Sequence, residues 1–482
     1  MLAKLFAFFS IALPLLLCAQ PSPHEIAAHA KAAQAAEQRN DFSTAVHEYE
    51  FVAKALPQNA EMQSNLGVAL YFNHDLKQAI RIFRRATAMN PSLLAPHLFA
   101  GLSLYRLSDP NAAVQELEKA VQINPADVIA HTWLGYAYTA QSQYEAALKE
   151  FQAARRLEPG NIDVWYSLGE TYLQIGREAT LELIAVAPDG GRTWQLAGEQ
   201  SQLKGDPQEA LECYKMALER RSDIPELRSL IADLGGTAAS ALGPSQNGTT
   251  REDEIYRRAH DAEQESRAAF EHVVQMAPDS YRFHQILGDA FTAEEKQSEA
   301  IEEYRTVLLL KPDLPGIHEA IGNNLLRSGK PAEALPEFEA ELQLQPYSAS
   351  AYTDLGQVFL IMGKDEEAAN MLNKALQMDR PPIEVYRLLG KVELHRKQFQ
   401  SAVENLTRYV SVRSSDSSAY YLLSQAYRAL GKKDQMNQAL QQFEKTSQDV
   451  KARSKAQARL QALNRQGEVT DEAREVEPKQ IH

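Results

Sequence analysis

Twelve histidines, two cysteines and many neighbouring acids are the side chains in this sequence with chemical reach. A histidine could relay a proton, a histidine and acid cluster could hold a metal, and two carboxyls could divide acid and base work. Their spacing supports none of these. His131 and His284 have no second histidine at metal-ligand distance along the chain, and HExxH, CxxC, GxxxxGK[ST] and GxSxG patterns are all absent. Glu302 and Glu303 are adjacent, which on a helix reads as one solvated face and not as an acid/base pair. Cys213, beside Tyr214 in a segment of alternating faces, reads as a small packed side chain and not as a reactive thiol. The chain therefore reads as a non-enzyme, with no cofactor and no metal.

The elements that carry these residues share one pattern. In "YTAQSQYEAALKEFQAARRLEPG" the small Ala147 and Ala154 flank Phe151, and Pro159 closes the segment. Gly67, Gly101, Gly135 and Gly169 lie 34 residues apart, as do Ala45, Ala79, Ala113 and Ala147, and Pro57, Pro91, Pro125 and Pro159. Tyr49, Phe83, Leu117 and Phe151 keep the same step. A second block repeats it with Gly288, Gly322, Gly356 and Gly390, with Ala300, Ala334, Ala368 and Ala402, and with Tyr304, Phe338, Leu372 and Leu406. Small residues let two helices approach, the large side chain fills the gap between them, and proline ends the second helix. One such pair leaves an apolar face in water, so stacking is compulsory.

This 34-residue unit resembles the tetratricopeptide repeat, a helix, a tight turn and an antiparallel second helix. The resemblance implies an all-α superhelical array, an α-solenoid of about 11–12 units. Units start near residues 26, 60, 94, 128, 162 and 191 in an N-terminal array over 20–224, and near 281, 315, 349, 383 and 417 in a C-terminal array over 281–447. Between them, 225–280 reads as a degenerate unit with a polar loop, Leu234 to Glu254, and one long helix. That helix, from about 252 to 276, would run about 37 Å and project beyond its neighbours. The unit at 162 is short, since Gly169 and Gly198 are only 29 apart, and "GREATLELIAVAPDGG" is expected to be its second helix. Residues 448–482 read as a capping helix and a charged tail.

In the resemblance, the second, fifth, ninth and twelfth residues of each first helix line a concave groove for peptide or protein partners. Carried over, these are Tyr71, Leu98, Leu102, Tyr105, Thr132, Tyr136, Asp163, Tyr166 and Glu170 in the first array. In the second they are Glu319, Asn323, Thr353, Gln357, Arg387, Lys391, Gln425 and Arg428, so that half is polar and ends basic. Most histidines fall near the fourth position of a first helix and read as packing or surface residues. The chaperone-tail clamp found in some relatives is not expected: its sites hold Ala30, Gln34, Asn65, Ala95 and Phe99, and only Asn65 fits.

Hydrophobic content of 44% and charged content of 24% suit a folded chain, and the formal charge of -14 argues against nucleic acid as the main partner. Residues 1–19 read as a secretory signal. Lys4 precedes an apolar run from Leu5 to Leu17, which is short of the about 20 residues that span a bilayer. The alternative is a lipid anchor at Cys18. An exported, periplasmic or extracellular scaffold or assembly factor of the bacterial envelope is the expected function. The alternative is an accessory subunit for polysaccharide export or synthesis, binding glycan or a synthase.

Overall fold

The computed structural model describes residues 21–237, 250–378 and 381–447. The expected signal, most of the polar loop and the charged tail lie outside the described residues. Within them every regular element is a helix, and the helices stack in antiparallel pairs as an α-solenoid. The chain divides into two compact parts, residues 1–107 with 111–130, and residues 131–482 with 108–110.

The first part holds α1 (Pro23–Glu37), α2 (Phe42–Ala55), α3 (Ala60–Phe72), α4 (Leu76–Met89), α5 (Leu94–Arg106) and α6 (Pro110–Ile123). Their starts are written in the sequence. Asp41, Asn59 and Asp75 each accept the backbone N–H three residues on, and Ser22 does so within a capping box with Glu25. The turn inside a pair needs one residue at positive φ, supplied here by Asn40 (φ 56°) and His74 (φ 63°).

The second part begins with α7 (Val128–Ala140), whose first turn belongs to the first part, and α8 (Tyr144–Leu157). Then comes α9 (Ile162–Val186), a single helix of 25 residues. Phase puts Gly176 where Ser142 turns the chain at φ 57°, yet Gly176 stays helical and packs against α13 (Arg251–Met276). The segment expected to be a separate second helix is thus the continuation of the first. Between α9 and α13 lie α10 (Gly191–Leu203), α11 (Pro207–Arg220) and the short α12 (Glu226–Asp233). The remaining pairs are α14 (Tyr281–Ala293) with α15 (Gln297–Leu310), α16 (Ile317–Arg327) with α17 (Pro331–Leu344), α18 (Ala349–Ile361) with α19 (Asp365–Leu376), and α20 (Glu384–His395) with α21 (Phe399–Val412). The array continues with α22 (Ser417–Ala429) and a further helix from 433 to at least 447.

One contact recurs in the pairs from α3 to α21. The glycine of the first helix has no room for a Cβ, because the large side chain 16 residues later fills that space: on Gly135 a Cβ would sit 2.6 Å from the Phe151 ring. For Gly169 the filler is not at 185, where an exposed alanine stands, but at Phe270, 2.6 Å away on α13. Ser266 and Val273 occupy the two small positions around Phe270, and the Ser266 hydroxyl donates to the Gly169 carbonyl at 2.9 Å. The unit that starts at 162 is therefore split: its second helix is α13, and α10–α12 are inserted between its halves. This corrects the expected degenerate unit over 225–280, and the long helix does not project alone, since α9 runs beside it. It also ties residues 162–186 to the second array, and both lie in the second compact part.

The inserted α10 and α11 form their own pair, with Tyr214 against Gly198. Leu196 joins Ala179, Leu183, Ile255, Tyr256 and Ala259 in a core at the far ends of α9 and α13. Arg192 secures it, with Nε 2.6 Å from Asp253 and its guanidinium 4.7 Å over the Tyr256 ring. Burial pushes the Asp253 carboxyl up, but hydrogen bonds from Thr250 and Arg192 outweigh it and hold it well below its ordinary range.

The split unit makes a direct prediction. Gly169→Ala should destabilise the chain by about 1–3 kcal/mol through overpacking, and Phe270→Ala by about 3 kcal/mol through an unfilled gap. Ala185→Ser, at the site where an unbroken unit would carry its ring, should be neutral; urea titration of the three variants checks this.

Candidate functional site

The histidines find partners that adjacency in sequence does not show. His29, His97, His131, His284 and His318 each place Nδ1 within 2.5–2.7 Å of a carboxylate 19 residues later, on Glu48, Glu116, Glu150, Glu303 and Glu337. Each histidine is the fourth residue of its 34-residue unit, and each glutamate directly precedes the large side chain of its second helix. His97 is 4% exposed, and its other nitrogen lies 3.1 Å from the Pro91 carbonyl. Burial raises the Glu116 carboxyl, but hydrogen bonds from His97 and Lys119 more than offset this and leave it lowered. Both ring nitrogens of His97 are thus engaged by the chain itself, and each of the five contacts ties a first helix to its second. Glu303 accordingly leaves the solvated face expected for it, whereas Glu302 stays at the surface with Arg305. Cys213 is buried, and desolvation pushes its thiol up to about 11, as suits a packed side chain. No group of three or more His, Cys, Asp or Glu side chains among the described residues could hold a metal ion, and no described helix is long and apolar enough to cross a membrane.

The residues expected to line a groove fall into three classes. In the first part, Tyr71, Leu98 and Leu102 are buried at 3, 6 and 5% exposure, which corrects their reading as open contacts. Tyr71 lies 5.1 Å from Phe99 and has Arg106 4.7 Å over its ring, because neighbouring first helices close over it. Tyr105 remains half-buried.

In the second part, Asp163, Tyr136, Tyr166 and Glu170 are engaged by the chain itself. Arg282 of α14 reaches between them: its Nε donates to Asp163 at 2.6 Å, and its guanidinium stacks 4.4 Å over the Tyr166 ring. Tyr281 also donates to Asp163, Tyr166 donates to Asp289 at 3.0 Å, and Tyr304 donates to the other Asp289 oxygen at 2.6 Å. The Ser167 hydroxyl donates to the Tyr136 oxygen at 3.1 Å. Arg282 and Asp289 are the second and ninth residues of the unit at 281, positions that the repeat pattern assigns to the groove. Thr132 is half-buried beside this cluster's α7 wall.

Further along, Thr353 is buried and bonded to its own helix at Ala349, while Asn323 and Gln357 are half-buried. Glu341, fully buried, takes backbone N–H groups of Gly316 and Glu319 at 2.9 and 3.4 Å, capping a helix start that has no side-chain cap of its own. Glu319 accepts from Ser350 at 2.7 Å, yet burial still raises its carboxyl. Asp354, absent from the expected groove, sits with one oxygen, Oδ2, buried and without a hydrogen-bond partner among the described residues. Burial, then the nearby charge of Glu319, push its carboxyl up to about 7. Only the end of the array keeps open groove residues: Lys391, Gln425 and Arg428 are exposed, and Arg387 is half-buried with Nε 4.0 Å from Asp416.

Matches to models of known families agree with this geometry. A model described as "TPR repeat" matches residues 101–142 and 135–176, and tetratricopeptide repeat models match 30–93, 325–392 and 418–446. The chain carries tetratricopeptide repeats. The matched segments stop at 176, where the split tetratricopeptide unit departs from its standard turn, and resume at 325. No curated protein matches. Among solved structures, a crystal structure of MamA protein is 19% identical, covering 45% of this chain and 98% of its own, with a TM-score of 0.30. The Cut9–Hcn1 hetero-tetramer of APC/C is 14% identical over 88% of this chain and 94% of its own, with a TM-score of 0.36. PilF of Pseudomonas aeruginosa is 19% identical over 41% and 92%, with a TM-score of 0.35.

Asp354 gives a pH dependence. Its folded-state value lies above the unfolded one, so the folded chain holds the extra proton, and stability falls as pH rises from about 4 through about 7. Asp354→Asn removes that loss and should stabilise on the order of 2 kcal/mol more at pH 8 than at pH 5, measured by paired thermal melts.

Proposed function

We propose that this chain is a non-catalytic scaffold of the bacterial envelope that holds protein or peptide partners on the surface lined by its first helices. The observation that carries this reading is a division of labour along each unit. Glycine, alanine and ring positions are consumed by packing, and the histidines by internal clamps, whereas Lys391, Gln425 and Arg428 stand exposed on the neighbouring first helices α20 and α22. Arginine and lysine there suit a partner that presents carboxylates, and the half-buried Arg387 extends the same strip. The apolar run from Leu5 to Leu17 after Lys4 supports export to that compartment.

The test is capture from an envelope extract with the full chain as bait. The Lys391→Glu, Arg428→Glu double variant should retain its melting temperature, because both side chains are exposed, and lose about tenfold in the amount of specific partner bound. Equal capture by both baits would remove this surface from the binding function.

A further inference from the structure

The seam between α9 and α14 is built unlike the others in the second part. Elsewhere a second helix presses along the next first helix, but α13 touches α14 only sparingly, and α9 and α14 face each other through polar side chains. Beside the seam a shallow, solvent-open cavity of about 420 Å³ is lined by Leu173, Phe270, Val274 and Ile286 together with Glu263, Arg267 and Glu271. A joint held mainly by polar side chains depends on those contacts to stay closed.

Two of those polar groups oppose each other. Glu170 and Asp289 are both ninth residues of their first helices, brought together because the split unit sets α9 beside α14. Asp289 accepts two tyrosine hydroxyls, while Glu170 has no hydrogen bond among the described residues and is raised by burial and by the charge of Asp289. Arg282 is committed to Asp163 and Gln285, both at 2.6 Å, so it cannot neutralise the pair fully.

We propose that this seam is a proton-sensitive joint, closed while one carboxyl of the Glu170 and Asp289 pair is protonated and loosened when both are charged. The other groups around it change less. Tyr136, Tyr166, Tyr281 and Tyr304 are held above their ordinary range by burial and stay neutral. The basic side chains around it are Arg177, Arg267, Arg282 and Lys311. Glu263, raised by burial, and Glu271 face the cavity from α13, with His260 paired to Glu199 at 2.8 Å. His272 stacks on Trp165 at 4.0 Å, and His284 pairs with Glu303 at 2.7 Å. Burial first, then the charge of Asp289, push Glu170 up to about 7, which sets the window between pH 6 and pH 8.

The measurement is amide hydrogen exchange of α14 in the full chain at pH 6 and pH 8, corrected for intrinsic exchange. If Glu170 returns to its ordinary 4.5 when the seam opens, the opening equilibrium should rise about tenfold over that interval. Glu170→Gln, permanently neutral, should abolish the rise, and Asp289→Asn should flatten it, a second route should the first variant fail to fold. Protection of α14 that is equal at both pH values overturns the proposal. So does a Glu170→Gln chain that keeps the full rise, which would place the effect on the histidines.

Discussion

Everything in this molecule is set by the contact of a backbone Cα with a large side chain. At Gly67, Gly101, Gly135 and their successors the first helix gives up its Cβ, and Phe83, Leu117, Phe151 or an equivalent occupies the vacated space. The helices then approach closely, and alanine at the flanking positions, such as Ala147 and Ala154 at 0% exposure, completes the fit. A single pair buries too little to stand alone, so the same contact that defines a unit obliges it to stack. The one left-handed residue per turn, from Asn40 to Gly431, is subordinate: it reverses the chain only where the second helix must come back at once.

This subordination explains how the unit at 162 could be opened. Its glycine contact is kept, but the helix supplying the ring comes from 101 residues away, and the turn at Gly176 is no longer required. Once α9 runs through the turn, its extra length must be covered, and the lengthened α13 and the inserted α10–α12 cover it with Leu183, Leu196 and Ile255. The insertion is thus accommodated by extending two helices while the core contact stays unchanged.

The stacked units were legible because their period is carried by residues that cannot vary without overlap or voids. The split was legible only in halves. In phase with the first block, Leu181, Ala185 and Thr193 stand where alanine, a ring and proline should; in phase with the second, Ser266, Phe270 and Pro278 fit, while Glu254 stands where glycine should. Each block lacked the half that the other supplied. A periodic reading joins neighbours in sequence, and nothing local states that a helix awaits a partner beyond an insertion. The histidine clamps were missed for a similar reason: His131 and Glu150 are 19 apart, a spacing that means little along one helix and becomes a 2.6 Å contact only across the pair. Tyr71 and Tyr166 show the opposite case: they hold groove positions by number but are covered by neighbouring helices.

The polarity of the α9–α14 seam follows from the split. Regular neighbours share a repeated apolar profile, so their surfaces interlock by construction; α9 was extended and α13 supplied from elsewhere, so the surface they offer α14 is not the repeated one. Buried ion pairs add little net stability after desolvation, but they penalise every arrangement that leaves a charge unpaired. Arg282, 8% exposed between Asp163, Tyr166 and Tyr281, can be satisfied in one docking of α14 and few others. Where packing no longer dictates the angle between successive units, polar specificity does, and that leaves the angle open to anything that changes the charge of the groups that set it.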